Sequence, residues 1–517
     1  MLARIVLAVA LVASNGAVSL VGVYPNPATE GDAGEYVLLE AEGETSLGAY
    51  AITDGEDTIS LPDTTVDGRV AITDDERVAA GLANETTIVV PEGLALSNSG
   101  ETVTLLREGT PVSRLSYERA PTAELWNGDT WTPLGATNVP VATASNVSTT
   151  AFALPDSPAV PLQGIENADS RILLAGYTLT DESVVNALLA ADRRGVTVRV
   201  VVDGSPVGGT SNAQIAALDR LREAGIDVTA IGGPRARYNF HHAKYAVVDG
   251  SVLITSENWK PAGVGGHASR GWGVVLRDEG LAEHLQSVFV QDETGVGGQS
   301  WDAIDPEGQP SDPSDGDYPT RFEPHRTTAD SASVIVAPDN AESELVGLLQ
   351  NATDSIRVQQ VSVDPDGPLL QESIAAARRG VHVRLLLGGA WYVEEGNREL
   401  AENLTTMADE EEIPLDVRVV EPRSRYDHLH VKGVVVDEER TVLGSLNWNR
   451  NALRENREVA VVVSDPSLAA YYTRLFEADW RGAAWRVHWL TLAGVVASLV
   501  IATVSAQRLR FEPPGEH

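Results

Sequence analysis

The chain is 517 residues long and 43 % hydrophobic, enough for several packed cores and incompatible with a wholly disordered protein. Its 74 Asp and Glu outnumber 38 Lys and Arg, for a formal net charge of −36, which argues against a scaffold that grips nucleic acid through a broad basic surface. Cysteine is absent, which excludes disulfide frameworks, Cys-ligated zinc and thiol nucleophiles.

At the N-terminus Arg4 precedes the apolar run Ile5–Ala13, and the small or polar residues Ser14, Asn15, Gly16 and Ala17 follow. That order predicts a secretory signal peptide over residues 1–17, the other reading being an uncleaved anchor, since apolar character resumes through Val23. From 18 to 142, short alternating segments such as Tyr36–Glu40, Thr86–Val90 and Thr102–Arg107 are separated by Gly, Asn, Asp and Pro clusters, which predicts a β-sandwich. Two stretches, Val21-Gly-Val-Tyr-Pro-Asn-Pro with Gly34-Glu-Tyr-Val-Leu-Leu-Glu, and Leu94-Ala-Leu-Ser-Asn-Ser-Gly-Glu-Thr-Val-Thr-Leu, resemble the opening and closing strands of lamin-tail-type immunoglobulin-like domains. The resemblance implies a binding or spacing module and leaves its ligand unknown. Residues 143–161, rich in Thr, Val, Ser and Pro, are expected to form a linker.

The chain then repeats itself. Ala190-Ala-Asp-Arg-Arg-Gly-Val-Thr-Val-Arg-Val-Val-Val-Asp-Gly is echoed by Ala375-Ala-Ala-Arg-Arg-Gly-Val-His-Val-Arg-Leu-Leu-Leu-Gly-Gly. Each copy reads as an amphipathic helix, a Gly stop and a buried parallel strand. Two α/β halves are expected, 162–293 and 331–484, joined by a Gly-, Pro-, Asp- and Ser-rich connector over 294–330. Residues 489–506 hold 18 positions without a charge, with Trp485 and Trp489 at one border and Arg508 and Arg510 at the other. This predicts a transmembrane helix with residues 507–517 as a cytoplasmic tail, and hence a single-pass cell-membrane protein with its body outside. Four Asn-x-Ser/Thr sequons, at Asn84, Asn146, Asn351 and Asn403, are compatible with export. The acidic, Arg-over-Lys composition resembles that of proteins from extreme halophiles, and only three lysines occur: Lys244, Lys260 and Lys432.

Two of those lysines fall in matching motifs. His242-Ala-Lys244-Tyr-Ala-Val-Val-Asp249 in the first copy answers His430-Val-Lys432-Gly-Val-Val-Val-Asp437 in the second, each followed by a polar turn, Ser256-Glu-Asn258-Trp259 and Ser445-Leu-Asn447-Trp448. Strand alternation puts His and Lys on one face. An ammonium beside an imidazole suits a group that attacks an anionic phosphate, with Asn amides and Ser hydroxyls to bond its oxygens and the Asp to hold the imidazole tautomer.

With these residues in place the chain resembles the phospholipase D superfamily, whose members carry two HKD motifs. The resemblance covers about Asp169–Asp479 and implies a duplicated α/β/α sandwich behind the all-β module, with one site between the halves. It implies metal-independent phosphodiester cleavage or transfer through a phosphohistidine, with no cofactor. Carried over, His242 is the nucleophile and His430 the general acid; Lys244, Lys432, Asn258, Asn447, Ser256 and Ser445 bind phosphate; Asp249 and Asp437 complete the catalytic motifs, whether as histidine partners or as structural supports. Glu458 matches a family glutamate that supports a catalytic histidine. Its aligned position in the first copy is Gly271, and Glu257 there either repels substrate or points outward. Arg237-Tyr238 and Arg425-Tyr426 recur upstream of the motifs, as pocket lining or as packing. His241 and His428 lack partners at metal-ligand spacing. The substrate expected is a phospholipid, with external nucleic acid as the alternative and a vestigial site on a surface-binding protein as the second alternative.

Overall fold

The computed structural model describes residues 18–27, 34–74, 86–90, 95–233, 236–311, 314–420 and 425–482. The expected signal peptide, membrane helix and cytoplasmic tail lie outside these residues. No helix among the described residues is long and apolar enough to cross a membrane.

The N-terminal module has two antiparallel-rich sheets of six and four strands. Val23, Val37 and Leu39 of one and Ile52, Val103 and Leu105 of the other share a core. The module is seated on the second α/β half through Glu124, which is fully buried and pairs with Arg450 and, at 3.1 Å, with Arg454.

The rest is one 16-stranded sheet, palindromic about its middle. Outward on one side run the strands Ala142–Leu154, Ser269–Arg277, Ser251–Thr255, Tyr245–Val248, Arg171–Gly176, Thr197–Asp203 and Asp227–Ile231. On the other run His325–Ala337, Glu458–Ser464, Arg440–Gly444, Lys432–Val436, Ser355–Gln360, His382–Leu387 and Leu415–Val419. The two innermost strands pair antiparallel, so the halves share a continuous hydrogen-bonded ladder.

This corrects the two expected linkers. Residues 142–154 are a full strand, and 325–330 open its partner. Thr recurs in both segments, a β-branched residue that suits a strand. Residues 159–166 form a helix, and 298–300 add an edge strand.

The repeated segment folds as its pattern dictates. In Glu182–Arg193, Asp181 caps the N-terminus by accepting from Ser183 and Val184 N–H, and Val184, Val185, Leu188 and Ala191 face inward. Gly195 ends the helix at φ 91° with Val196 N–H bonded to Ala191 O at 3.1 Å. Gly380 does the same at φ 96° in the second half. These helices cover one face of the sheet, one cluster per half. On the other face Glu279–Thr294 and Pro466–Trp480 pack into a single core that spans both halves, where Tyr472 hydroxyl donates to Gly273 O at 2.7 Å.

Candidate active site

Each motif histidine is placed by the opposite half. His242 N–H donates to Arg457 O at 2.9 Å, and His430 N–H to Arg270 O, also at 2.9 Å. The two arginines are fully buried struts. Arg457 pairs with Asp292 at 2.9 Å and Asp339 at 2.7 Å, and Arg270 pairs with Asp156 and, at 3.2 Å, with Asp479. Tyr238 lies 4.5 Å from the Arg457 guanidinium and Tyr426 4.8 Å from that of Arg270, so the recurrent tyrosines pack on struts. His241 belongs to the same framework: its N–H donates to Asp203 at 2.7 Å and its Nε2 lies 3.2 Å from Asp292.

The side chains converge across this seam. His242 Nδ1 stands 2.8 and 3.0 Å from the two Glu458 oxygens. Clamped this way, Nδ1–H donates to the carboxylate and Nε2 keeps its lone pair. His430 Nδ1 lies 3.3 Å from Glu257 Oε2, out of hydrogen-bond alignment. Glu257 is fully buried and accepts from Ser269 Oγ at 2.8 Å, so it turns into the site. Gly271 explains why. A Cβ there would fall inside the Glu257 side chain. The first half supplies its carboxylate from the turn position, which is Leu446 in the second half, and leaves the strand position empty.

Burial pulls the His242 imidazole down to about 4 against the attraction of Glu458, with Lys244 adding to the fall. Burial, then Lys432, Lys244 and Lys260, hold His430 well below its ordinary value. Burial raises Glu257. It opposes the charge of Glu458 too, but His242 and Lys244 overcome it and keep that carboxyl below its ordinary value. Lys244 Nζ donates to His242 O at 2.6 Å and Lys432 Nζ to His430 O at 2.9 Å, tying each ammonium back to its own histidine. Burial brings Lys432 to about 8 and Lys244 well below its usual value.

Other expected residues hold the frame. Asp249 sits at φ 51° and Asp437 at φ 53°, left-handed turn positions that Asp tolerates. Asp249 accepts from the N–H groups of Asp169, Ser170 and Arg171 at 2.9, 2.8 and 3.0 Å, and Asp437 from Thr353, Asp354 and Ser355. Both therefore close the hairpin onto the neighbouring strand, away from the imidazoles. Ser256 Oγ accepts from Trp272 N–H and Ser445 Oγ from Val459 N–H, each at 3.0 Å, so both hydroxyls stitch strands where they were expected to bind phosphate. Asn258 is buried with an unpartnered Oδ1, and Asn447 is half-buried.

The sequence reading missed Tyr177 and Lys260. The Tyr177 ring stands edge-on to His242 at 4.8 Å with Lys244 Nζ 5.4 Å from its centroid, and no motif marks it. Lys260 follows Asn258 by two residues and donates its N–H to Asn258 O at 2.8 Å, and its charge helps to hold His430 and Lys432 below their ordinary values. All three lysines of the chain thus serve one cleft, a convergence their scarcity already hinted at.

The family model described as "Cardiolipin synthase, PLD-like domain" matches residues 162–293 and 345–480, just over half of the chain. The chain belongs to this family. Its members are enzymes, and the protein is a phosphodiesterase of the phospholipase D-like type. It is 25 % identical over 341 residues to the "Minor cardiolipin synthase ClsB" of Bacillus subtilis (strain 168), covering 62 % of this chain and 78 % of that one. It is 38 % identical over 114 residues to the "Mitochondrial cardiolipin hydrolase" of Chlamydomonas reinhardtii, where the match spans 22 % of this chain and 47 % of the relative. Among solved structures, the phosphatidylserine synthase of Haemophilus influenzae Rd KW20 is similar at TM-score 0.49 and 16 % identity, covering 64 % of this chain and 87 % of that one.

Proposed function

We propose that the protein cleaves or exchanges phosphodiester bonds of phospholipids through a phosphohistidine on His242. The observation that carries this is the Glu458 clamp on His242 Nδ1, which leaves Nε2 as a neutral, oriented nucleophile. His242 Nε2 bonds to phosphorus as the bond to the leaving alkoxide breaks, and His430, neutral in the empty site and protonated once the phosphate anion offsets the lysines beside it, gives that alkoxide its proton. His430 then takes a proton from water or an alcohol, whose oxygen attacks phosphorus and releases His242. Lys244 and Lys432 offset the charge gathering on the phosphoryl oxygens, and Asn258 and Asn447 donate to them.

The family match and the cardiolipin synthase relative favour a phospholipid substrate. The apolar run 489–506 and the basic, apolar, small order of residues 1–17 support a body outside the cell on a C-terminal anchor, and the composition supports a salt-rich setting. We read the two-sheet module as of the lamin-tail type, a binding or spacing module at the end of the chain opposite the anchor. The test is an assay of the purified chain in high salt on phospholipid and on single- and double-stranded DNA. Release or exchange of a headgroup is expected, and DNA cleavage without lipid turnover would overturn the reading in favour of a nuclease.

A further inference from the structure

Among the described residues the large hydrophobics left exposed are three: Val207 at 79 %, Trp391 at 87 % and Tyr392 at 53 %. They occupy equivalent places in the two halves, in the loops after the parallel strands Thr197–Asp203 and His382–Leu387. Those are the carboxyl ends of the strands, where open α/β sheets bind their ligands. Both loops border the cleft. Val207 N–H donates to the hydroxyl of Tyr177, the residue edge-on to His242. Gly388 N–H, where the second loop opens, donates to Gln360 O at 3.1 Å, and Gln360 pairs with Lys432 on the neighbouring strand.

We propose that these two loops form a docking rim that dips into the surface of a lipid bilayer and presents the cleft to it. Exposed Trp and Tyr suit the headgroup boundary, with an apolar body and a polar tip. Charge selects lipid over nucleic acid. Residues 204–211 carry no charge and 388–396 carry only Glu394 and Glu395, so the rim lacks the Lys and Arg that a phosphate backbone demands. The chain's exit agrees. Helix Pro466–Trp480 ends on the same side, where Asp479 pairs with Arg270, the residue whose carbonyl receives His430 N–H. Six residues, 483–488, then separate the last described position from the apolar run at 489, a reach of about 20 Å. The proposal rests on the phospholipid reading for its purpose, but the rim is testable without turnover.

Because the chain has no cysteine, single labels are unambiguous. An environment-sensitive fluorophore is placed at Val207→Cys, at Tyr392→Cys and, as reference, at Glu410→Cys near the far end of the helix Glu394–Glu411. The full chain is then reconstituted into phosphatidylcholine vesicles. The labels at 207 and 392 are expected to shift to the blue, brighten about twofold or more and be quenched by nitroxide-bearing lipid, while the label at 410 does none of these. Raising the salt is expected to leave the shift in place, because the contact is apolar. In the double variant Trp391→Ser, Tyr392→Ser, the ratio of turnover on vesicle lipid to turnover on a short-chain, water-soluble form of the same phosphodiester is expected to fall about tenfold. Labels at 207 and 392 that stay as wet as the one at 410 overturn the proposal, as does a response to single-stranded DNA in place of vesicles. Docking without turnover on any phosphodiester upholds the rim and removes the phospholipase reading.

Discussion

His242 and His430 occupy equivalent places in the two halves, yet Glu458 grips the first with both oxygens while Glu257 stands beside the second without a hydrogen bond. The carboxylates also arrive by different routes, Glu458 from the start of a strand and Glu257 from the turn of the adjacent hairpin. Duplication has conserved where negative charge sits in space and let go of which position supplies it. The tighter clamp suits a nucleophile that must point one way. The looser contact suits an imidazole that gains and loses a proton in each cycle.

The strongest test of that division is removal of the histidines. His242→Ala is expected to lower turnover by about 10⁴-fold or more and to abolish an acid-labile phosphoprotein adduct. His430→Ala is expected to cost about 10²- to 10⁴-fold and to let the adduct accumulate from a substrate with a good leaving group. An adduct that survives His242→Ala and vanishes in His430→Ala would reverse the roles.

Next in size is the seam. Arg457→Leu strands the carboxylates of Asp292 and Asp339 in the interior and is expected to destabilise the fold by about 3–5 kcal/mol in chemical unfolding. A loss under about 1 kcal/mol would mean that water reaches the seam and the strut is unimportant.

The carboxylates come third. Glu458→Gln is expected to cost about 100-fold in kcat and Glu257→Gln about tenfold, in line with their grips. Gly271→Glu alone overpacks the Glu257 side chain, at about 1–3 kcal/mol. Adding Glu257→Leu rebuilds the arrangement of the second half and is expected to return most of that stability, read as the coupling in a double-mutant cycle. Additive effects would show that the two positions do not share one space.

The smallest effect is a pH limb. Burial brings Lys432 to about 8, so its ammonium is present below that value and lost above it. In the free enzyme, kcat/KM is therefore expected to fall by up to about tenfold per pH unit on the alkaline side, and Lys432→Arg to make that limb shallower by staying charged, with Lys244 supplying what is left of it. A profile flat through pH 9 would remove Lys432 from phosphate binding.

The doubled motif was legible because His and Lys two apart on a strand share a face, and because the helix–Gly–strand repeat set both copies in register. The roles of Asp249, Ser256 and their counterparts were not. Spacing reports neighbours along the chain, whereas these side chains bond to strands about 80 and 16 residues away. Glu257 was equally opaque, since its direction follows from the missing side chain of Gly271, fourteen residues on and meaningful only once the strands pair. The central strand 142–154 was hidden by composition, because Thr and Ser read alike in a linker and on the half-exposed end of a strand.

The lysine distribution has a practical consequence. Apart from the α-amino group, primary amines occur nowhere outside the cleft, so a reagent that acylates or reductively alkylates amines is in effect addressed to the catalytic centre without any engineering. Protection of Lys260, the least buried of the three, would report occupancy by substrate in unpurified material by mass spectrometry alone.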